Sequence, residues 1–152
     1  MNNIKPKIYT TRINKINLDN ISKNYYLARI QPDVLKIQKN KKIYSLKDVK
    51  NWVYNNRKKI IFFLLVINKK IKGFIYYNFD STKYFIYIKK RYRNNGFSVI
   101  LLKKLIDFGK KKNLKITADV NVTNKKSLSL HKKFKFNKQK NFRIYKLLDW
   151  KL

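Results

Sequence analysis

Cysteine and glutamate are absent from the 152 residues of this sequence, and histidine occurs once, at His131. Without cysteine there is no disulfide, no thiolate nucleophile and no cysteine-based metal site, and a single histidine excludes a multi-histidine metal site. The longest apolar run, residues 60–67, is far shorter than the roughly 20 residues that cross a bilayer. The first residues carry no apolar signal core. We therefore expect a cytoplasmic protein with no bound metal and no membrane-spanning segment.

Glycine and proline are also scarce, with three and two residues, and no repeat or low-complexity linker divides the chain. The length fits one domain. The 44% apolar content is that of an ordinary globular protein with a buried core. These features predict a single domain over residues 1–152.

Acidic residues are few: 7 Asp stand against 39 Lys and Arg, which gives a formal net charge of +32. Such an excess favours binding to polyanions such as nucleic acids. Most of it is scattered lysine, whereas base-reading proteins favour arginine. Drift towards AT-rich codons explains the abundant Lys, Asn and Ile but not the missing Glu. Both interpretations stay open, and both predict loose, non-specific polyanion binding.

Hydrophobic periodicity predicts an α/β protein with a mixed sheet flanked by helices. Ser45 and Asp48 form a capping-box pattern before one helix, and Asn124 is a typical capping residue before another. Short polar connections predict an antiparallel meander, and a strand–helix–strand order predicts parallel pairing of the strands near residues 86 and 118. The predicted strands span 7–13, 60–67, 71–77, 84–88, 115–122 and 142–148, and the predicted helices span 18–29, 46–56, 97–112 and 125–134.

The segment between the 84–88 strand and the following helix is the most specific one. Backbone N–H groups at a helix start have no helical partner, and the helix dipole adds positive charge, so this junction suits a phosphate or pyrophosphate. Gly96 allows the backbone to approach a ligand closely, and Ser98 is small. Arg91 and Arg93 add charge. An ordinary basic turn has a similar composition, so this segment alone leaves both interpretations open.

Three segments together resemble the GNAT acyltransferase superfamily, over about residues 60–137. Residues 93–98 are similar to its Q/R-x-x-G-x-G/A signature, 124–127 to its N-x-x-S/A turn, and 130–136 to its L-Y-x-K-x-G-F ending. The resemblance implies a mixed, mostly antiparallel sheet whose fourth and fifth strands splay into a cofactor wedge. It also implies acetyl-CoA as co-substrate and direct attack by an amine, with no covalent enzyme intermediate.

The same resemblance implies a set of cofactor-binding residues. The pyrophosphate is expected on the 93–98 loop with help from the turn that follows the fifth strand, and the pantetheine arm is expected on the backbone of the fourth strand. The residues carried over are Ile86, Tyr87, Ile88, Arg93, Asn94, Asn95, Gly96, Phe97, Ser98, Asn124 and Ser127.

The sequence departs from the family pattern where catalysis is concerned. His131 stands where many members have the tyrosine assigned as the acid for the departing CoA thiolate. Imidazolium could act as that acid, neutral imidazole could act as a base, and the residue could simply be packed. Lys135 replaces the glycine that ends the last helix. Members often have a Glu base on the fourth or fifth strand, and here Asp119 is the candidate, with a structural ion pair to a lysine as the alternative. Tyr84 and Tyr87 are further polar groups on the fourth strand.

The acceptor is indicated only by a loose similarity to amino-sugar acetyltransferases of the pseudaminic-acid type, which show R-N-x-P-x-V-R and then I-S-x-x-x-H-x-x-W. A nucleotide-linked amino sugar is therefore one expected small-molecule acceptor, and a protein or peptide amine is another. A catalytically inactive fold that binds CoA or nucleic acid is a third possibility. Monomer and homodimer both stay open. The matching positions are Arg29, Pro32, Val34, Ser45 and Trp52.

Overall fold

The computed structural model describes residues 6–38, 40–142 and 145–150. A 3₁₀ turn at Lys90–Tyr92 lies between the fourth strand and the fourth helix. The elements, in chain order, are β1 (Lys7–Thr11), α1 (Leu18–Arg29), α2 (Pro32–Ile37), α3 (Leu46–Asn55), β2 (Ile60–Ile67), β3 (Lys70–Asn78), β4 (Tyr84–Ile88), α4 (Phe97–Lys112), β5 (Ile116–Asn121), α5 (Lys125–Lys133), β6 (Asn137–Phe142) and β7 (Tyr145–Trp150).

The first sheet has the order β1-β2-β3-β4, and all its pairs are antiparallel. This confirms the predicted meander. The central strand β2 is almost wholly apolar and buried, because helices cover both faces of the sheet. Phe62 and Phe63 point to opposite faces and are fully buried, each contributing roughly 1.5–3 kcal/mol through burial.

The second sheet has the order β5-β7-β6, also antiparallel. The prediction of one last strand over 142–148 is wrong, because β6 ends within that range, β7 begins within it, and residues 143 and 144 lie outside the described residues. β6 reads NKQKNF, and its polar sequence gives no alternation to detect. Backbone pairing with β7 defines this strand.

β4 and β5 are neighbours, yet they do not form the parallel ladder that the sequence order predicts. In the described part of the chain a single parallel bridge joins them, between Lys83 and Thr117. The Thr117 N–H donates to the Thr82 carbonyl at 2.9 Å. Beyond this point the strands diverge, and the two sheets are separate. This is the splayed arrangement that the family resemblance implies.

Two buried clusters lie on the two faces of the first sheet. One contains the apolar face of α4 and the inner side chains of β5, and the other contains buried residues of α1, α2 and α3. Both predicted caps are present: Ser45 and Asp48 form a reciprocal capping box, and Asn124 accepts from the Ser127 N–H at 3.1 Å. The sequence pattern missed α2, a short helix that Pro32 begins. Among the described helices, none is long and apolar enough to cross a membrane.

Candidate active site

A cleft of about 960 Å³ opens where β4 and β5 diverge. Its lining comes from α2, β4, the 93–98 loop, the start of α4, β5 and α5. The sequence-predicted residues Asp119, Asn124, Ser127 and His131 all line it, although they come from different elements. The fold therefore gathers the predicted site into one place.

The edge of β4 that faces the cleft carries unpaired backbone groups. The N–H of Lys89 donates to the Lys72 carbonyl at 2.8 Å, which continues the ladder with β3 and places the odd-numbered residues of β4 in that ladder. Backbone groups alternate in direction along a strand, so Ile86 and Ile88 present theirs to the cleft. Tyr87 directs its N–H and C=O to β3. The register therefore does not support the prediction that the backbone of Tyr87 pairs with a cofactor.

The wide end of the cleft is formed by the N-terminus of α4. Gly96 is the residue before the helix and has a φ of 73°, a left-handed conformation that favours glycine. Val99 donates its N–H to the Gly96 carbonyl at 3.0 Å, whereas the N–H groups of Phe97 and Ser98 have no partner among the described residues. Free donors at the positive end of a helix have the geometry that the predicted anion site requires.

Arg93 does not extend freely into this anion site. Its Nε donates to the Ile88 carbonyl at 2.9 Å, and its Nη1 donates to the carboxylate of Asp33 on α2. The bonds from Arg93 hold the pKa of Asp33 below its ordinary value, although partial burial of the carboxyl opposes this. Arg93 therefore connects the 93–98 loop to β4 and to α2. This structural role comes in addition to the phosphate contact that the sequence predicts.

The two asparagines of the loop have different partners. Asn94 has a φ of 64°, and its Oδ1 accepts from Lys126 at 3.2 Å. Asn95 donates from Nδ2 to the Arg93 carbonyl at 3.0 Å. The side-chain oxygen of Asn124 is engaged by Ser127, so only the remaining groups of that turn are available to a ligand.

His131 is 2% exposed, and both of its ring nitrogens have partners. Nδ1 lies 2.6 Å from the Ser127 carbonyl, which can only accept, so Nδ1 carries the proton. Nε2 lies 2.5 Å from the Tyr84 hydroxyl and accepts from it. Burial lowers the pKa of His131, although the bond to Ser127 opposes this, and burial raises the pKa of Tyr84 well above its ordinary value. The pair is therefore neutral at neutral pH.

Asp119 is ion-paired with Lys83, with Oδ2 and Nζ 2.6 Å apart. The two side chains span the seam where β4 and β5 begin to separate. The carboxylate is 21% exposed, so it remains in reach of the cleft. This geometry matches the structural alternative that the sequence left open.

Charge in the cleft is predominantly positive. Asp33 and Asp119 are the carboxylates among its described lining residues, and each is paired with a cation of the same lining. The described lining has no further carboxylate to balance the charge of its other three lysines. The five cations are Lys83, Arg93, Lys125, Lys126 and Lys133.

The side of the cleft under α2 is lined by aromatic side chains and by Gln38. The amide oxygen and nitrogen of Gln38 are buried, and neither has a hydrogen-bond partner among the described residues. Tyr76 and Phe85 stack with ring centroids 6.0 Å apart. Of the five positions similar to amino-sugar acetyltransferases, Val34 alone is among the described lining residues.

Comparison with known proteins places the chain in a family. Residues 25–136 match the model of the Acetyltransferase (GNAT) family, which covers well over half of the sequence. The chain belongs to the GNAT acetyltransferase family. This confirms the family resemblance, the fold class and the assignment as an acetyl-transferring enzyme. No curated protein sequence matches the chain significantly.

Solved structures with the same fold include three acetyltransferase relatives of low sequence identity. The protein yncA of Salmonella typhimurium, solved with its cofactor acetyl-CoA, is 16% identical, with 94% of this chain and 91% of that one covered and a TM-score of 0.69. The Vibrio cholerae spermidine N-acetyltransferase, in complex with CoA and spermine, is 14% identical, with 93% and 92% covered and a TM-score of 0.73. The Brucella melitensis ribosomal-protein-alanine N-acetyltransferase is 19% identical, with 93% and 96% covered and a TM-score of 0.66.

Sequence reasoning missed several residues of the site. It gave no part to Asp33, Gln38 or Lys83, and it named Tyr84 only as a polar group. The partners of these residues are far away in the chain: Tyr84 and His131 are 47 positions apart, and Arg93 and Asp33 are 60 apart. The alternation of side chains along a strand could have pointed to Tyr84, because Tyr84 shares a strand face with Ile86 and Ile88.

Proposed function

We propose that this GNAT enzyme transfers the acetyl group of acetyl-CoA to a primary amine, with the cofactor in the cleft between β4 and β5. The observation that carries the proposal is the helix start at Gly96, where free N–H groups and a left-handed glycine meet the wide end of the wedge. The pyrophosphate rests there, with Lys126 and Asn94 beside it. Crystallised relatives with acetyl-CoA or CoA support the same cofactor.

The pantetheine arm then runs along the open edge of β4. Ile86 offers both its N–H and its carbonyl, and Ile88 offers its N–H, because Arg93 occupies the Ile88 carbonyl. Four residue steps of a strand cover about 13 Å, so an arm that starts at the end of β4 brings the thioester towards Tyr84. The amine attacks the thioester carbon directly. Asp119 forms an ion pair with Lys83 at the point where β4 and β5 separate, and it does not act as the general base.

The acceptor we propose is a small amine that carries negative charge, and a nucleotide-linked amino sugar is the class that fits. The cleft holds five cations against two paired carboxylates, so an anionic acceptor is attracted and a polycation is repelled. The unpartnered amide of Gln38 offers one donor and one acceptor group to a polar ring substituent. The aromatic wall at Tyr76 and Phe85 offers a flat surface to a sugar or a base.

An acidic protein or peptide amine is the second candidate, because the same charge also attracts an acidic chain. One structural relative acts on a ribosomal protein. Polyamines, the class named for another relative, are disfavoured by the lysines of this cleft. The two candidates differ in size, so a panel of acceptors separates them.

Thiol release from acetyl-CoA tests the acceptor class, and the absence of cysteine means that the protein adds no background signal. The panel contains a UDP-linked amino sugar, the free amino sugar, an acidic peptide with a free N-terminus, a lysine-rich peptide and spermidine. We expect the highest kcat/KM for the UDP-linked sugar, at least about tenfold above the free sugar, since the diphosphate supplies the attraction. The highest value for spermidine would contradict the anionic acceptor. Binding of CoA with no turnover of any amine would support the inactive alternative.

A matched pair of variants tests Gln38. Gln38→Leu should raise the KM of the acceptor at least about fivefold and leave the KM of acetyl-CoA unchanged, because the new side chain lacks hydrogen-bonding groups. Stability should not fall, since the amide has no partner to lose. Gln31→Leu is the control, because Gln31 lies on the same segment but bonds to the Leu27 carbonyl outside the cleft. Equal effects of the two variants on the acceptor KM would rule out a binding part for Gln38.

A further inference from the structure

The single histidine of the chain lies in the wall of the cleft, but both of its ring nitrogens are occupied. His131 is 2% exposed, its Nδ1–H is bonded to the Ser127 carbonyl, and its Nε2 accepts from the Tyr84 hydroxyl. A group that gives a proton to the CoA sulfur or takes one from the amine must contact the substrate. With both ring nitrogens occupied behind Tyr84, His131 does not meet this requirement.

The Tyr84 hydroxyl does meet it. Tyr84 lies at the start of β4, one residue after the bridge at which β4 and β5 separate, and its side chain lines the cleft. The pyrophosphate end of the wedge is at the opposite end of β4, so the thioester comes to rest beside Tyr84. The residue is partly exposed, whereas its histidine partner is buried.

We propose that Tyr84 is a catalytic residue of the acetyl transfer, and that it works with the buried His131 as a two-member proton relay. The proposal rests on the proposed acetyl-CoA site. It corrects the expectation that His131 itself is the group in contact with the leaving thiolate.

The steps of the relay balance. The amine nitrogen attacks the acetyl carbon, the new C–N bond forms and the carbonyl electron pair moves to oxygen. The surplus proton on nitrogen passes to the Tyr84 oxygen as the Tyr84 proton passes to Nε2 of His131, which becomes an imidazolium. The electron pair on oxygen then re-forms the C=O bond as the C–S bond breaks, and the C–S electron pair goes to sulfur. Nε2 returns its proton to the Tyr84 oxygen, and the Tyr84 proton goes to sulfur. The products are the amide and free CoA thiol, with the enzyme unchanged.

The surroundings suit a neutral histidine that accepts a proton only transiently. The groups packed against the His131 ring are the Tyr84 phenol from β4, Ser127 from its own helix and the Phe136 ring, whose centroid is 4.9 Å away. None of them carries charge at neutral pH. The charged groups of β4, β5 and α5 that line the same cleft are Lys83 with its partner Asp119, and lysines 125, 126 and 133. Burial lowers the pKa of His131, which keeps the resting imidazole neutral.

Tyr84→Phe tests the relay, and Tyr77→Phe is a closely matched control. Tyr77 pairs with Tyr84 across the β3–β4 ladder, and its buried hydroxyl donates to the Lys115 carbonyl at 2.7 Å. We expect Tyr84→Phe to lower kcat by about 100-fold or more, with the dissociation constant of acetyl-CoA changed less than about threefold. Tyr77→Phe should leave kcat within about threefold of the wild type.

The pH profile gives a readout that a packing role would not move. In the wild type, kcat/KM should fall in acid as His131 becomes protonated, and this limb should disappear in Tyr84→Phe because the hydroxyl no longer connects substrate and imidazole. Equal losses in the two Tyr→Phe variants, or an unchanged acid limb in Tyr84→Phe, would overturn the relay. No turnover and no acetyl-CoA binding in the wild type would instead end the proposed function itself.

Discussion

The guanidinium of Arg93 bridges the carboxylate of Asp33 on α2 and the carbonyl of Ile88 at the end of β4. Through this single side chain the loop that we propose for the pyrophosphate is connected to α2. The carboxylate also neutralises the positive charge of Arg93, which the family resemblance assigns to the phosphate. Asp33 therefore helps to position the 93–98 loop through Arg93, but it reduces the positive charge at the proposed anion site.

Asp33→Asn tests this relationship. A carboxylate at ~7 Å from a phosphate costs about 0.6 kcal/mol in water, so its removal should tighten acetyl-CoA binding by roughly threefold at low salt. The gain should disappear at high salt. Stability should change by less than about 1 kcal/mol, since the pair is substantially exposed, at 31% for Arg93 and 50% for Asp33. Binding can be followed by titration calorimetry.

The control for that experiment is Asp80→Asn, because Asp80 is paired with Lys59 and is not among the residues that line the cleft. It removes the same charge from the protein without touching the site. Equal tightening by both variants would mean that net charge, rather than the Arg93–Asp33 contact, sets the affinity.

Gly96→Ala should weaken cofactor binding much more than it weakens the fold. The left-handed φ of 73° makes alanine cost about 1 kcal/mol, but apart from its chain neighbours no described residue has an atom within 4 Å of the new Cβ. The added methyl group therefore has room in the protein itself and would meet only a closely bound phosphate. We expect acetyl-CoA affinity to fall at least about tenfold, measured by equilibrium titration of the folded variant.

Lys135→Gly is the reciprocal control for left-handed strain. Lys135 follows the last helix with a φ of 60°, so the sequence expectation of a glycine-like position there agrees with the backbone. Glycine should raise the free energy of unfolding by up to about 1 kcal/mol without altering acetyl-CoA affinity. A Gly96→Ala affinity within about twofold of wild type would contradict the close approach at Gly96.

Gly73→Ala should destabilise the protein by about 1–3 kcal/mol through overpacking. A Cβ at Gly73 would lie 2.6 Å from Cδ1 of Ile88 and 2.7 Å from the Tyr87 carbonyl oxygen, which is backbone and cannot move away cheaply. The strand that must give way is β4, so the open edge of the wedge shifts as well. Denaturant unfolding measures the loss. A change below about 0.5 kcal/mol would show that β3 and β4 are not so closely packed there.

The stability of the protein should rise with pH in a window that lies below the ordinary histidine pKa of about 6.5, because of His131. Burial lowers the pKa of His131 in the folded protein, so in this window the unfolded chain binds more protons than the folded one. This contribution to stability is fully present above the ordinary histidine pKa of about 6.5. It is lost as the pH falls through the lower pKa of His131 in the folded protein. The slope can reach about 1.4 kcal/mol per pH unit.

Few other groups titrate near the pKa of His131, because the sequence has one histidine, no glutamate and no cysteine. Proton NMR of the single imidazole reports the pKa directly, and His131→Gln should abolish the slope. An imidazole that titrates above 6.5 would contradict the buried, neutral pair with Tyr84.

Local signals predicted much of this structure. The bounds of α1, α4, β2 and β4 agree with the sequence prediction, because capping residues, periodicity and apolar runs act over a few neighbouring positions. The 93–98 motif likewise located the helix start that forms the anion site.

Features that depend on distant partners were not predictable in the same way. β6 is too polar to show alternation, and α2 is only six residues long. The gap between β4 and β5 arises from the packing of two sheets, which a strand order cannot show. The contact of Tyr84 with His131 joins residues 47 positions apart, so it needs the tertiary fold.

We propose that acetyl-CoA binds in the wedge with its pyrophosphate on the 93–98 loop. The most direct measurement is thermal stability against acetyl-CoA concentration at physiological salt, with ADP and a short polyphosphate as anionic controls for a protein of charge +32. At 100 times its dissociation constant a specific ligand adds about 2.7 kcal/mol. We expect stabilisation by acetyl-CoA well beyond both controls, and we expect it to be smaller in Gly96→Ala. Equal stabilisation by all three anions, unaffected by that variant, would contradict it.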